Sequence, residues 1–298
     1  MVATRESRTE PSPSPRPRAT QAVVVGVDST PTSHAAVEWA AAEAVARKAP
    51  LHIVHSWVWP HLAPWLTSAD REMHDDLARA GETLISSYRI AARDAGATEI
   101  TSEVREGAPR EVLSALSKQA QLLVVGSRHL GGLARTVLGS TSRAVAGESS
   151  CPTIVVTGYS GAPRRAGRLI VGISTAPSDE PVLQFAFDYA QDHSVPIHAL
   201  FCWDTDDTPL PRLPIPQSTR AWLGESIAGW RGRFPDVPVQ ASVRVAQPVA
   251  GLLDAADDDA MIVVGRRAHR PPLLGSHLGA VGLGVLHHAG CAVAIVPN

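Results

Sequence analysis

The stretch LLVVGSR at Leu122–Arg128 returns 139 residues later as MIVVGRR at Met261–Arg267. Each copy is a short, β-branched apolar run that stops at a glycine followed by polar residues. Such an unbroken run suits a strand covered on both faces of a parallel sheet, since a half-exposed strand would alternate apolar and polar residues. The surroundings repeat as well. Arg105-x-x-x-Pro109-x-x-x-Leu113 matches Arg244-x-x-x-Pro248-x-x-x-Leu252 at the same offset, and AVVVGV at Ala22–Val27 pairs with LIVGI at Leu169–Ile173. IVHSW ending at Trp57 pairs with ALFCW ending at Trp203, and CPTIVV from Cys151 with CAVAIV from Cys291. A repeat of this length decides the architecture before any single motif is weighed.

Within the first copy the pattern predicts strands near 22–28, 51–57, 99–105, 121–126 and 152–157, with helices near 32–48, 69–95, 109–119 and 140–149. The second copy predicts strands near 168–173, 196–202, 239–245, 260–265 and 292–296, and helices near 178–193, 217–233, 248–257 and 280–289. Strand and helix in alternation imply right-handed crossovers, so the fold class is α/β: two tandem, doubly wound, parallel five-stranded sheets. The chain divides into a tail at 1–20, a first domain at 21–158, a linker at 159–167 rich in Gly, Pro and Arg, and a second domain at 168–298.

A chain of 298 residues with 44% hydrophobic and 19% charged residues is long enough for two buried cores. Its formal charge of −2 argues against a dedicated nucleic-acid binder, which would show a basic face. Arginine outnumbers lysine 25 to two, which reads as high-GC coding and not as function. The Pro-, Ser- and Arg-rich leader holds no apolar core of a secretion signal, and no run approaches the ~18 apolar residues of a membrane span. Three cysteines, Cys151, Cys202 and Cys291, fall at or inside strands. Their odd number favours a reducing compartment without a disulfide framework, hence the cytoplasm.

In an open doubly wound sheet a ligand binds beyond the carboxyl ends of the strands, where the strand order reverses. That places the end of the first strand beside the loop after the fourth. At the former, Asp28 is read in two ways, as an acceptor for a ribose or adenine edge and as a cap for the next helix. At the latter runs GSRHLGGLARTVLGSTS, Gly126 to Ser142. Gly126, Gly131 and Gly132 are expected to permit positive φ and close backbone approach, and Gly139-Ser140-Thr141 leads into a helix whose free N–H groups favour an anion. Arg128 and Arg135 are candidates for charge-assisted contacts or for plain solvent exposure. The adjacent His287 and His288 point about 100° apart on a helix and chelate poorly. Trp57, Trp59, Trp65 and Trp203 are read first as packing residues and second as platforms for a base.

These residues in this topology resemble the universal stress protein family, over essentially the whole chain from about 21 to 298 as a tandem pair. The resemblance implies a Rossmann-like, adenine nucleotide alpha hydrolase-like sheet with strand order 3-2-1-4-5, in a stress-response protein of bacterial type. Family members that bind ATP carry G-x2-G-x9-G-[ST] after the fourth strand, and Gly126, Gly139 and Ser140 fit that frame, with His129 at its second glycine. By resemblance, Asp28 and Val54 meet the adenosine, Val125 and Gly126 the ribose, and Gly139, Ser140 and Thr141 the phosphates, with Ser127, His129 and Gly131 completing the loop. The implied cofactor is ATP, with Mg²⁺ as its companion ion. The second copy departs from the motif. Ser174 replaces Asp28, Ala280 replaces Ser140, and its loop carries Arg266, Arg267, Pro271 and Pro272 where small residues belong.

Three functions remain open. The first is a non-catalytic module that binds and senses an adenine nucleotide, since no Walker-type lysine element and no acid–base spacing for phosphoryl transfer is present. The second is a slow ATPase. The third is a nucleotide-independent interaction scaffold with an unidentified protein partner. In single-domain relatives the fifth strands commonly pair across a dimer, so Thr153–Thr157 and Ala292–Val296 are expected to pair within this chain, with homodimers of the tandem as a further expectation.

Overall fold

The computed structural model describes residues 21–59, 68–129, 136–137, 139–157, 165–174, 179–203, 215–266 and 278–297. The first half runs β1 (Val23–Val27), α1 (Pro31–Ala46), β2 (Leu51–Trp57), α2 (Ser68–Asp94), β3 (Ile100–Glu106), α3 (Pro109–Leu116), β4 (Leu122–Gly126), a two-stranded hairpin of β5 (Arg128–His129) and β6 (Thr136–Val137), α4 (Ser140–Glu148) and β7 (Thr153–Val156). The second half runs β8 (Arg168–Ile173), α5 (Glu180–His193), β9 (Ile197–Trp203), α6 (Gln217–Arg233), β10 (Val239–Val245), α7 (Pro248–Ala255), β11 (Ala260–Gly265), α8 (Ala280–His288) and β12 (Ala292–Val296).

Each half has the strand order 3-2-1-4-5, as β3-β2-β1-β4-β7 and β10-β9-β8-β11-β12. All pairs within a half of this sheet are parallel. The two sheets join into one of ten strands, because β7 and β12 pair antiparallel with Val155 opposite Val293 and Thr153 opposite Ile295. The Thr157 hydroxyl adds a hydrogen bond to the Cys291 carbonyl across this junction.

The apolar runs are unbroken because helices cover both faces of the sheet. On β1, Val23, Val25 and Val27 face a core shared with α1 and α5, while Val24 faces a second core shared with α3, α4 and α8. Both cores run through the β7–β12 junction without a break. Helix α1 starts with Pro31, whose missing N–H costs nothing in a first turn, and alanines 36, 40, 41 and 44 let it lie close on the strands. Lys48 after α1 and Ser194 after α5, 146 residues apart, both turn the chain in the left-handed region at φ 52° and 55°.

Candidate functional site

The strand order reverses between β1 and β4, and a cavity of about 240 Å³ opens there at their carboxyl ends. Of the expected site residues, Asp28, Val54, Val125, Gly126, Gly139, Ser140 and Thr141 all line it. The sheet register explains the convergence. Gly26 on β1 stands opposite Val54 on β2 and Val125 on β4, so these two residues reach the cavity at the same level. Both residues are buried where they meet the cavity.

Gly126 is where a side chain would do most damage. A Cβ built there lies 2.9 Å from both the carbonyl oxygen and the hydroxyl of Thr32, so the glycine admits the turn into α1 against the end of β4. The expectation of positive φ at Gly126 is corrected: among the described residues the glycines with positive φ are Gly96 and Gly107. Close packing, not an unusual backbone conformation, requires glycine here.

Helix α4 points its N-terminus into the cavity. Gly139 is its N-cap, no side chain caps it, and its first turn holds no acid, so its free N–H groups and dipole are not answered from within the helix. The turn carries three hydroxyls, Ser140, Thr141 and Ser142. Ser142 Oγ donates to the Gly126 carbonyl at 2.7 Å and ties the helix start to the end of β4.

Asp28 ties down the turn that leads into α1, although the N-cap of that helix is Thr30 and no side chain caps its N–H groups. Asp28 Oδ1 accepts from the Thr30 N–H at 2.9 Å, from Ser33 Oγ at 2.8 Å and from the Thr30 hydroxyl, while the Asp28 N–H donates to Ser33 Oγ at 2.9 Å. Tyr88 from α2 donates to the Asp28 carbonyl at 2.9 Å. Burial, reinforced by the Asp28 carboxylate, pushes the Tyr88 phenol above its ordinary value of 10.0.

Other expected residues fall elsewhere. Ser127 is fully buried off the cavity wall, and its hydroxyl has no hydrogen-bond partner among the described residues. His129 lies on β5, its backbone paired with Thr136, but its side chain and all of Gly131, Gly132 and Arg135 lie outside the described residues. The side chain of Arg128 does too. Trp57 and Trp59 pack edge-on against His74, and Trp203 against Phe201, so these three serve packing and none lines the cavity; Trp65 lies outside the described residues. Thr30, Thr32, Ser33, Ser56 and Ser142 line the cavity without having been singled out. For the first three the signal was the hydroxyl-rich run STPTS after Asp28, which reads as a turn and helix cap before it reads as a binding wall.

The second half keeps the frame and changes the chemistry. Gly279 caps α8 as Gly139 caps α4, but the first turn holds Ala280, Val281 and Gly282, and buried Leu278 packs across the helix start. The Asp28–Ser33 pair is reversed. Ser174 donates its N–H to Asp179 Oδ2 at 2.6 Å and its hydroxyl to Asp179 Oδ1 at 3.0 Å, with both residues 146 positions beyond their first-half counterparts. Ser174 therefore marks an exchanged pair that ties the turn before the helix, not a lost one.

A family model described as the universal stress protein family matches residues 20–157 and again residues 166–297. A universal stress protein of Mycolicibacterium smegmatis is 35% identical over 291 residues, covering 92% of this chain and 96% of that relative. A universal stress protein of Mycobacterium tuberculosis is 32% identical over 292 residues, covering 93% and 97%. Among solved structures, a universal stress protein from Archaeoglobus fulgidus superposes with a TM-score of 0.69 at 15% identity, over 93% of this chain and 96% of that one. The repeated match, the two parallel sheets and the reversal point between β1 and β4 agree: this chain belongs to the universal stress protein family, with the family's domain present twice.

Proposed function

We propose that the chain binds and senses an adenine nucleotide, ATP in particular, at the first-half cavity, and that it acts through occupancy and not through turnover. The observation that carries this reading is the start of α4. A helix N-terminus not answered from within its helix, with a glycine and two hydroxyl residues, Gly139, Ser140 and Thr141, opens on a cavity whose opposite wall is built by the ends of β1, β2 and β4. The first feature suits phosphate oxygens, the second an adenosine edge. The size fits the same division. About 240 Å³ is less than the roughly 300–1,000 Å³ of a pocket that encloses a drug-sized ligand, so the cavity holds the nucleoside while the phosphates lie along the start of α4. Asp28 is the one carboxylate on the described wall, and it already receives Thr30 and Ser33, so a Mg²⁺ ion would take most of its ligands from the phosphates and water.

Ser127, His129 and Gly131 belong to the same reading as parts of the loop over the phosphates. The second half, with Ala280 and Val281 at its helix start, is proposed as a scaffold and not as a second site. The three free cysteines accord with a cytoplasmic setting. Isothermal calorimetry with ATP should show one site per chain, lost in Gly139→Glu. Absence of binding to any adenine nucleotide overturns the reading, and Mg²⁺-dependent phosphate release removed by Asp28→Ala would convert it to a slow ATPase.

A further inference from the structure

The loop that departs from the motif in the second half begins with Arg266, at the position Ser127 holds in the first. Its root is fixed at both main-chain groups: its N–H donates to the Val296 carbonyl at 2.8 Å, and its carbonyl accepts from the Gly279 N–H at 3.0 Å. From there the half-buried side chain crosses the β7–β12 junction, and Nη1 donates to the carbonyl of Ser149 at 2.5 Å. Ser149 is the C-cap of α4, the helix whose other end faces the first-half cavity.

The chemistry of that end explains why a cation belongs there. The last turn of α4 contains no basic residue, and its own Glu148 has the sign the negative end of the dipole disfavours. Glu148 is neutralised by Arg110 of α3, with Nε at 2.8 Å. The last carbonyl is left to a donor from outside the half, and Arg266 supplies a charge-assisted bond. Ser127, its first-half counterpart, is too short to make a reciprocal reach. Helix α4 is nine residues long, about 13 Å, so it moves as a rod and a displacement at Ser149 is felt at Ser140. The second half also touches the other end of this segment, because β6 lies against α8.

We infer that Arg266 is a positioning residue for the first-half cavity: it holds the C-terminal end of α4 and thereby fixes the helix start on which Gly139, Ser140 and Thr141 stand. The link to ligand affinity rests on the nucleotide reading above, whereas the link to α4 does not. The second half, in this view, places an arginine where the first half has Ser127 and uses it to brace its neighbour's helix.

The test takes the full chain with Arg266→Ala and with Arg266→Lys, which keeps a cation near the helix end. Two quantities are read: hydrogen exchange of the α4 amides from Arg143 to Ser149 without ligand, and calorimetric affinity for ATP. Arg266→Ala should speed that exchange and weaken ATP about ten-fold, the order of one hydrogen bond to a charged group, and Arg266→Lys should recover part of both. Unchanged exchange in α4 overturns the inference whatever the affinity does. Faster exchange with unchanged affinity overturns it too, by reducing Arg266 to a helix cap. If the wild type binds no adenine nucleotide, the nucleotide reading falls by itself and the exchange rates still decide whether Arg266 positions α4.

Discussion

Asp28 carries two duties that its surroundings allow to be separated. Its carboxylate holds the turn into α1 through Thr30 and Ser33, and it also stands on the cavity wall. The second half shows how the first duty is met with the two residues exchanged, as Ser174 and Asp179. Asp28→Ala should therefore cost about 1–3 kcal/mol of stability, the usual weight of hydrogen bonds to a charged group, and weaken ATP as well. The double change Asp28→Ser with Ser33→Asp should restore most of the thermal stability by copying the second half, yet leave the affinity low. Thermal unfolding and calorimetry on the three proteins decide it. Recovery of both properties in the double variant would reduce Asp28 to a tie for that turn.

At the scale of elements, α1 and α5 meet across the junction through a buried polar cluster. Glu43 of α1 is 1% exposed and lies 3.0 Å from Arg47 Nε and 3.0 Å from Nε2 of His193 on α5. The His193 ring stacks on Tyr189 at 4.2 Å, and the Arg47 guanidinium lies over Phe185. Burial raises the Glu43 carboxyl, but contact with His193 and the charge of Arg47 together outweigh it and hold the group below the ordinary glutamate value of 4.5. A lowered carboxylate contributes stability that is present above the unfolded value and lost as pH falls through the folded one. The contact between α1 and α5 should thus hold at neutral pH and weaken below about pH 4.5, as followed by the fluorescence of buried Trp39 during acid titration. Glu43→Ala should cost about 3–5 kcal/mol at neutral pH, because Arg47 is left buried without its partner, and should flatten that acid transition. An unaltered acid profile in Glu43→Ala would show that the cluster does not set it.

The elements themselves were largely legible. The strand expected at 121–126 is Leu122–Gly126, and the helix expected at 69–95 is Ser68–Asp94. Hydrophobic runs and capping signals are local, and local signals survive translation into structure. The residues of the cavity were legible where the strand ends and the family resemblance pointed to them, as at Asp28, Val54, Gly126 and Gly139. What escaped reading was relational. Nothing in the sequence pairs Asp179 with Ser174 until the offset of 146 is applied residue by residue, and nothing near Arg266 points to Ser149, 117 positions away. The β5–β6 hairpin, two residues on each strand, is too short to leave a periodic trace.

The molecule as a whole is held by a strand pair that each half would otherwise expose. Ile154, Val155, Val293 and Ala294 are fully buried at the junction, and both cores pass through it. A half in isolation would present β7 as a long-lived open edge with an apolar face on either side, and such an edge recruits another strand. The first half is its own candidate partner, because an antiparallel pairing of β7 with a second β7 reproduces the symmetry that β7 and β12 already approximate. Residues 21–157 expressed alone should therefore form a dimer at micromolar concentration, in analytical ultracentrifugation, while Val155→Pro in that fragment, which removes a ladder N–H, should shift it to monomer or aggregate. A fragment that is monomeric, folded and soluble without substitution would show that the junction depends on α1 and α5 and not on the strand edge.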